Sequence, residues 1–159
     1  MIRILFDEIG DYHSDIFLKV DATPSFLQVA DTYFLEDFLN RKFDSKEEIV
    51  LSYLNYIKET FQKSYEKEIF IAFDISDQYV GGLFVSKGRK GLIKLEYGWT
   101  KEIEGWGINR ETIRGKAKEK RKEFKIDRDW LISKDSVIEG LNWSIEKIKK
   151  LPTTKPKLH

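Results

Sequence analysis

The sequence predicts an α+β fold in a single domain, an antiparallel sheet with a central three-strand meander and helices packed mainly on one face. Three observations carry this expectation. Two stretches repeat apolar residues every three or four positions behind an S-x-x-E start, the mark of amphipathic helices. Between them, residues 68–99 hold three β-rich runs separated by turns too short for a crossover, which makes their strands antiparallel. The chain has 159 residues, 41% hydrophobic and 14% aromatic, enough for one sizeable core without disulfide or metal staples.

Taken in order, Ile2, Ile4 and Phe6 alternate with Arg3 and Leu5 and predict a first strand. A polar turn from Asp7 to Asp15 leads to residues 16–20, β-branched and aromatic, which pair with it. Pro24 marks the exit. The pattern of residues 25–40 fits strand and helix alike, and is read as a short strand to Ala30 followed by a helical turn or two from Asp31. The clearest element is a helix over 45–63. Ser45 and Glu48 form a capping box, and Val50, Tyr53, Leu54, Ile57 and Phe61 make one apolar stripe. Residues 68–74 are apolar on both faces and predict a central strand covered on each side. A turn from Asp74 to Gln78, a strand over 79–85, a basic glycine-bearing turn over 86–91 and a strand over 92–99 complete the meander.

After Gly107 the chain becomes basic. A helix is expected over 110–122, although Gly115 costs it about 1 kcal/mol against Ala. A short extended piece follows over 124–126. The last helix, 136–150, starts with Ser136 and Glu139 as a second capping box and buries Ile138, Leu141, Ile145 and Ile148. Lys147, Lys149 and Lys150 suit its C-terminal dipole. Residues 1–150 thus form the domain, and 151–159 a polar C-terminal tail.

Composition excludes several chemistries. Cysteine is absent, which removes disulfides, thiolate zinc sites and a cysteine nucleophile. The only histidines are His13 and His159, too few for most histidine-based metal sites. No apolar run approaches the ~20 residues that span a bilayer, and no leader pattern opens the chain. A soluble, cytoplasmic protein without cofactor, metal or membrane contact is expected. The net charge of +1 conceals an uneven split: residues 1–80 carry 16 Asp/Glu against 8 Lys/Arg, and residues 81–159 carry 11 against 20. This predicts an acidic and a basic side, unless the sheet interleaves the halves.

Four constellations could carry chemistry. The loop Asp7, Glu8, Asp11, His13, Asp15 could hold a cation or act as acid and base, but hairpin turns also favour Asp for local backbone bonds. Glu123 and Lys125 have the E-x-K form of metal-dependent nucleases, with Asp74 ending a hydrophobic strand, but charge alternates so densely there that the spacing arises by chance. On a helix, Arg114, Lys118, Arg121, Lys122 and Lys125 share a face that could follow a phosphate backbone, whereas Glu111, Glu119 and Glu123 interleave at spacings that make intrahelical ion pairs. The fourth constellation is favoured. Asp74, Asp77 and Tyr79 at a turn, and Trp99, Glu102, Glu104 and Trp106 around a glycine-bearing loop, combine aromatic area with carboxylates as a protein-binding surface does. Of the four tryptophans, at least two are expected in the core.

The hairpin aspartates Asp74 and Asp77, the Gly81-Gly82 strand and the aromatic-acidic loop from Trp99 to Gly107 give this segment its character. It resembles the immunity proteins of bacterial polymorphic toxin and contact-dependent growth inhibition systems. The likeness covers about thirty residues; elsewhere it extends only to size and architecture. It implies a non-enzymatic protein that binds a cognate toxin domain, often a nuclease, and blocks its active site or substrate path. In that reading Asp74, Asp77, Glu102 and Glu104 oppose toxin cations, with Trp99 and Trp106 as anchors. The alternatives are a nucleic-acid binder or metal-dependent nuclease using residues 110–125, and a structural subunit of a larger complex.

Overall fold

Alternating apolar residues build the first sheet in the computed structural model, which describes residues 1–63 and 67–151. Strand β1 (Ile2–Phe6) pairs antiparallel with β2 (Ile16–Val20), and β2 with β3 (Leu27–Ala30). Residues 25–40 divide into this third strand and a short helix, α1 (Leu35–Leu39), closed by Asn40 in the left-handed region at φ 55°. Helix α2 (Lys46–Gln62) starts at Ser45, whose hydroxyl accepts the Glu48 N–H at 3.2 Å. The Glu48 carboxylate returns to the N–H of Asp44, one residue before the cap. All five residues of its expected stripe are buried.

The remaining strands form a second sheet. β4 (Ile69–Ile75), β5 (Val80–Lys87), β6 (Ile93–Thr100) and β7 (Lys125–Ile132) lie antiparallel in that order. Helix α3 (Ile113–Glu119) precedes β7 and α4 (Lys134–Lys149) follows it. The architecture is therefore α+β, with two sheets where one was expected. Ile2, Ile4 and Leu18 of the first sheet meet Ile71, Phe73 and Leu83 of the second, and Ile57 and Phe61 of α2 and Val137 and Leu141 of α4 close the same core. On the opposite face of the second sheet, Phe70, Phe84 and Phe124 cluster beside α3.

Four further expectations change. Strand β4 is buried at all seven positions but stands at the sheet's edge rather than its centre. Burial on both faces therefore marked a covered strand and not a central one, and the hydroxyl of Tyr53 in α2 donates to the Ala72 carbonyl. The extended piece at 124–126 is the start of an eight-residue strand, of which only Trp130 and Ile132 are buried. Charges at Asp127, Arg128 and Asp129 hide its period and at the same time protect an open edge from pairing. The basic helix is shorter than expected, and a 3₁₀ turn at Arg121–Glu123 succeeds it. Finally, α4 is capped by Ser133, which accepts the Ser136 N–H at 3.2 Å, so Ser136 sits inside the first turn. The expected tail lies outside the described residues beyond Leu151.

Helix α4 seals the free edge of β1 at very short range. A Cβ on Gly140 would lie 1.8 Å from the Ile2 carbonyl oxygen, so only glycine lets the helix approach this closely. One turn on, the buried Ser144 hydroxyl accepts the Ile4 N–H at 2.9 Å and donates to the Gly140 carbonyl at 2.9 Å. Gly140→Ala is expected to push α4 off β1 and to cost about 3 kcal/mol, more than the roughly 1 kcal/mol that Ala adds to helix propensity. Ser144→Ala leaves the buried Ile4 N–H unpaired, at about 1–3 kcal/mol. Urea unfolding midpoints check both, and an unchanged midpoint for Gly140→Ala would contradict this contact.

Candidate binding surface

Two bulges shape one end of the second sheet. The β4–β5 register shifts between Ala72 and Asp74, opposite Gly82 and Gly81, and the β6–β7 register shifts between Tyr97 and Gly98. Bulges re-aim side chains. Here Asp74 comes level with Gly81, Gly81 with Trp99, and Trp99 with Lys125, so one row across four strands faces the same side. A Cβ on Gly81 would meet the Tyr97 hydroxyl at 2.9 Å, and one on Gly82 the Ile71 carbonyl at 2.1 Å. The Gly-Gly pair is thus required by close packing.

The row opens into a cleft of about 400 Å³ between Gln28 of β3 and Asp74, Tyr79, Tyr97 and Trp99, with Lys101 and Asp127 completing its wall. Asp74 is 6% exposed and accepts a 3.2 Å hydrogen bond from the Gln28 amide. Burial pushes its pKa up to about 6, and the Asp31 carboxylate adds to the rise, against hydrogen bonds from Tyr79 and Gln28. Burial also raises the Tyr79 pKa, with Asp74 adding to it. Tyr97 is fully buried, and its hydroxyl has no hydrogen-bond partner among the described residues. Burial raises that hydroxyl's pKa well above the ordinary tyrosine value, helped by the charges of Asp74 and Asp127.

Beside the cleft lies an exposed aromatic cluster. Trp106, 61% exposed, stands edge-on to Phe34 at 4.7 Å and to Tyr33 at 6.5 Å between ring centres. Tyr33, 51% exposed, stacks on His13 at 5.4 Å. The His13 Nδ1 lies 3.3 Å from Asp31, which also accepts the Ser14 N–H at 2.6 Å. The Gly105 N–H donates to the Ser76 carbonyl at 2.7 Å and ties the Trp106 turn to the Asp74–Tyr79 turn. Trp106, Tyr33, Asp31, Asp74, Tyr79 and Trp99 therefore follow one another along a linked surface. No family model, curated protein or solved structure matches this chain. Its function is read from geometry.

The structure brings together Asp74, Tyr79 and Trp99, with Asp77 exposed at the adjoining turn. Glu102 and Glu104 line a separate hollow with Lys101, Lys116, Glu119 and Lys120 rather than the Asp74 cleft. Of the tryptophans only Trp130 is in the core; Trp99 and Trp143 are half-buried and carry Lys125 and Arg3 over their rings. The loop from Asp7 to Asp15 is a structural device: Asp15 turns inward, and among the described residues no three acidic or histidine side chains group as metal ligands. The five basic residues do not share a face. Arg114, Lys118 and Arg121 border a groove over Phe70 and Phe84, and the Arg121 guanidinium is bonded to Glu68 and Glu96. Lys125 lies over Trp99 on the opposite face, and Lys122 is exposed in the 3₁₀ turn. Glu123 lies in the turn that leads into β7, at the sheet edge opposite the β4 strand of Asp74, so the two do not converge.

Gln28, Asp31, Tyr33, Tyr97 and Asp127 join the surface without having been legible in the sequence. Only the Asp31 to Phe34 run, a carboxylate followed by two aromatics, carried a signal, and its ambiguous period obscured it.

The folded protein holds the Asp74 proton more tightly than the unfolded chain does. The contribution of Asp74 to stability is therefore fully present below the unfolded pKa of 3.8 and is lost as pH rises through about 6. The full loss is of the order of 3 kcal/mol. Asp74→Asn is expected to raise stability at neutral pH and to flatten the profile between pH 4 and 6. Urea midpoints across that range test it; an unaltered slope in the variant would remove Asp74 as the titrating group.

Proposed function

We propose that this chain is a non-enzymatic binding protein that docks a basic protein partner, in the manner of an immunity protein neutralising a cognate toxin. The observation that carries the reading is the exposed Trp106, held edge-on by Tyr33 and Phe34 beside the Asp31 and Asp74 carboxylates. An exposed tryptophan fixed by neighbouring rings loses little freedom on binding, and such residues supply most of the energy in interfaces. Carboxylates around it favour a cationic partner and speed the encounter. A nuclease toxin presents such a surface, because its substrate path must bind phosphates. In this reading Glu102 and Glu104 form the rim, and the protein acts in the cytoplasm, where such toxins reach nucleic acid. No helix among the described residues is long and apolar enough to cross a membrane. A role as a subunit of a larger complex would use the same surface.

The nucleic-acid and nuclease readings have less support. Arg121 is occupied by two carboxylates, and Asp74 on β4 and Glu123 just ahead of β7 stand at opposite edges of the sheet.

The test is affinity capture of the tagged protein from its source cells with chelator present, read by mass spectrometry and by nucleic-acid absorbance. One stoichiometric protein is expected, with capture lost in Trp106→Ala by about 2–4 kcal/mol and retained in Lys118→Glu. Nucleic acid that washes off as salt rises, is lost in Lys118→Glu and is indifferent to Trp106→Ala would overturn the proposal.

A further inference from the structure

We infer that the cleft between β3 and strands β4–β6 is a receptor for one cationic side chain, a lysine or arginine of the docked protein, whose N–H groups bond the Asp74 carboxylate and the Tyr97 hydroxyl. The source of the cation rests on the function proposed above. The site itself does not.

Four observations meet there. Asp74 is almost fully buried, yet its partners are the neutral donors Gln28 and Tyr79. The usual complement of a buried carboxylate is a cation, because a charge removed from water needs one to offset its desolvation. Tyr97 places a hydroxyl without a hydrogen-bond partner among the described residues in the same wall, next to Asp74 and Asp127. A buried hydroxyl left unbonded costs free energy that an incoming N–H donor recovers. The third observation is charge: Asp31, Asp74, Asp77 and Asp127 face the cleft region, against Lys101 and a Lys125 already seated over the Trp99 ring. An anionic ligand is disfavoured by that balance. The fourth is size. About 400 Å³ is at the small end of the roughly 300–1,000 Å³ range of ligand clefts, and Trp99 and Tyr79, edge-on at 6.4 Å, give the methylene stem of a side chain an aromatic wall.

The cleft is also linked to the docking anchor. The Gly105–Ser76 hydrogen bond holds the Trp106 turn against the turn that carries Tyr79. A partner seated on Trp106 can therefore reach the cleft with an adjacent basic residue. Lys101 lines the cleft as well and is a tethered competitor for the same place.

The experiment is an NMR titration of the isotope-labelled full chain, with no partner present. The probes are N-acetyl-arginine methylamide and N-acetyl-lysine methylamide, charged only at the side chain, with the capped citrulline as neutral isostere and putrescine as free diamine. Saturable millimolar shifts are expected at the Trp99 indole N–H, the Tyr97 ring and the Asp74 carboxyl carbon for the two cationic probes, and none for citrulline. Asp74→Asn should weaken binding at least tenfold. Tyr97→Phe, which deletes only the unbonded hydroxyl, should weaken it several-fold while leaving the thermal midpoint unchanged or higher. Lys101→Ala should strengthen it. The inference is overturned by absence of binding in both wild type and Lys101→Ala, by equal binding of citrulline, or by binding indifferent to Asp74→Asn. Putrescine bound a hundredfold more tightly than the capped residues would overturn the assignment to a protein side chain. Failure of these probes while Trp106→Ala still abolishes capture would sink the cleft assignment and leave the docking proposal standing.

Discussion

The proposed binding surface depends on one buried carboxylate. Asp15 has no exposed area, accepts the Thr32 N–H at 2.9 Å and the Thr32 hydroxyl at 2.6 Å, and lies 3.3 Å from the Lys46 ammonium. Its backbone carbonyl accepts from Asp7, and its N–H donates to Ala30. Lys46 in turn donates to the Gly10 carbonyl. A single residue thus joins the 7–15 loop, the exit from β3 and the first turn of α2. Removing one partner of a buried pair typically costs about 3–5 kcal/mol, because the other charge is stranded. Asp31 and Tyr33 flank Thr32 in sequence, and His13 lies two residues before Asp15. The aromatic cluster is consequently held from behind by a polar network and from the side by Phe34.

Asp74 is the counterpart that lacks such completion. Both aspartates are buried, but Asp15 has an ammonium and two donors from Thr32, whereas Asp74 has an amide and a phenol. The difference separates structure from function. A completed ion pair fixes a loop and contributes to folding; an incomplete one destabilises the free protein and leaves interaction energy for a ligand. The two bulges belong to the same logic. A regular ladder would point Asp74 to the opposite face, and the shift at Ala72/Asp74 turns it toward the cleft.

Local signals were legible wherever one residue type sufficed to set the structure. The stripe of α2, the alternation of β1 and the short turns of the meander all express a period that burial demands. Tertiary arrangement was less accessible. Strand β4 reads the same whether another strand or a helix covers its edge, and β7 hides its period because five of its first residues are exposed. The capping box at Ser136 was a true pattern at the wrong place, since Ser133 offers the same chemistry one turn earlier. For the surface, Asp74, Tyr79, Trp99 and Trp106 were legible as chemistry. Gln28, Asp31 and Tyr97 were not, because they reach the surface from distant strands through β3 and through a bulge that no local pattern encodes.

The uneven charge of the chain takes on meaning in the folded protein. The second sheet separates an acidic side, with Asp31, Asp74 and Asp127, from a basic side, with Arg114, Lys118 and Arg121. These sides are not equivalent. On the basic side, Arg121 bonds Glu68 and Glu96 and stacks 4.0 Å from Phe84, so part of its charge is spent within the fold. On the acidic side, the hydrogen bonds to Asp74 come from neutral donors, Lys101 only lines the cleft wall, and an exposed aromatic cluster lies beside it. A field from the acidic side would orient a cationic protein before contact, and the screening length of roughly 8 Å in physiological salt confines that guidance to the last approach. In the docking proposed for this surface, specificity then falls to Trp106 and the cleft, where burial on contact makes geometry decisive and salt matters little.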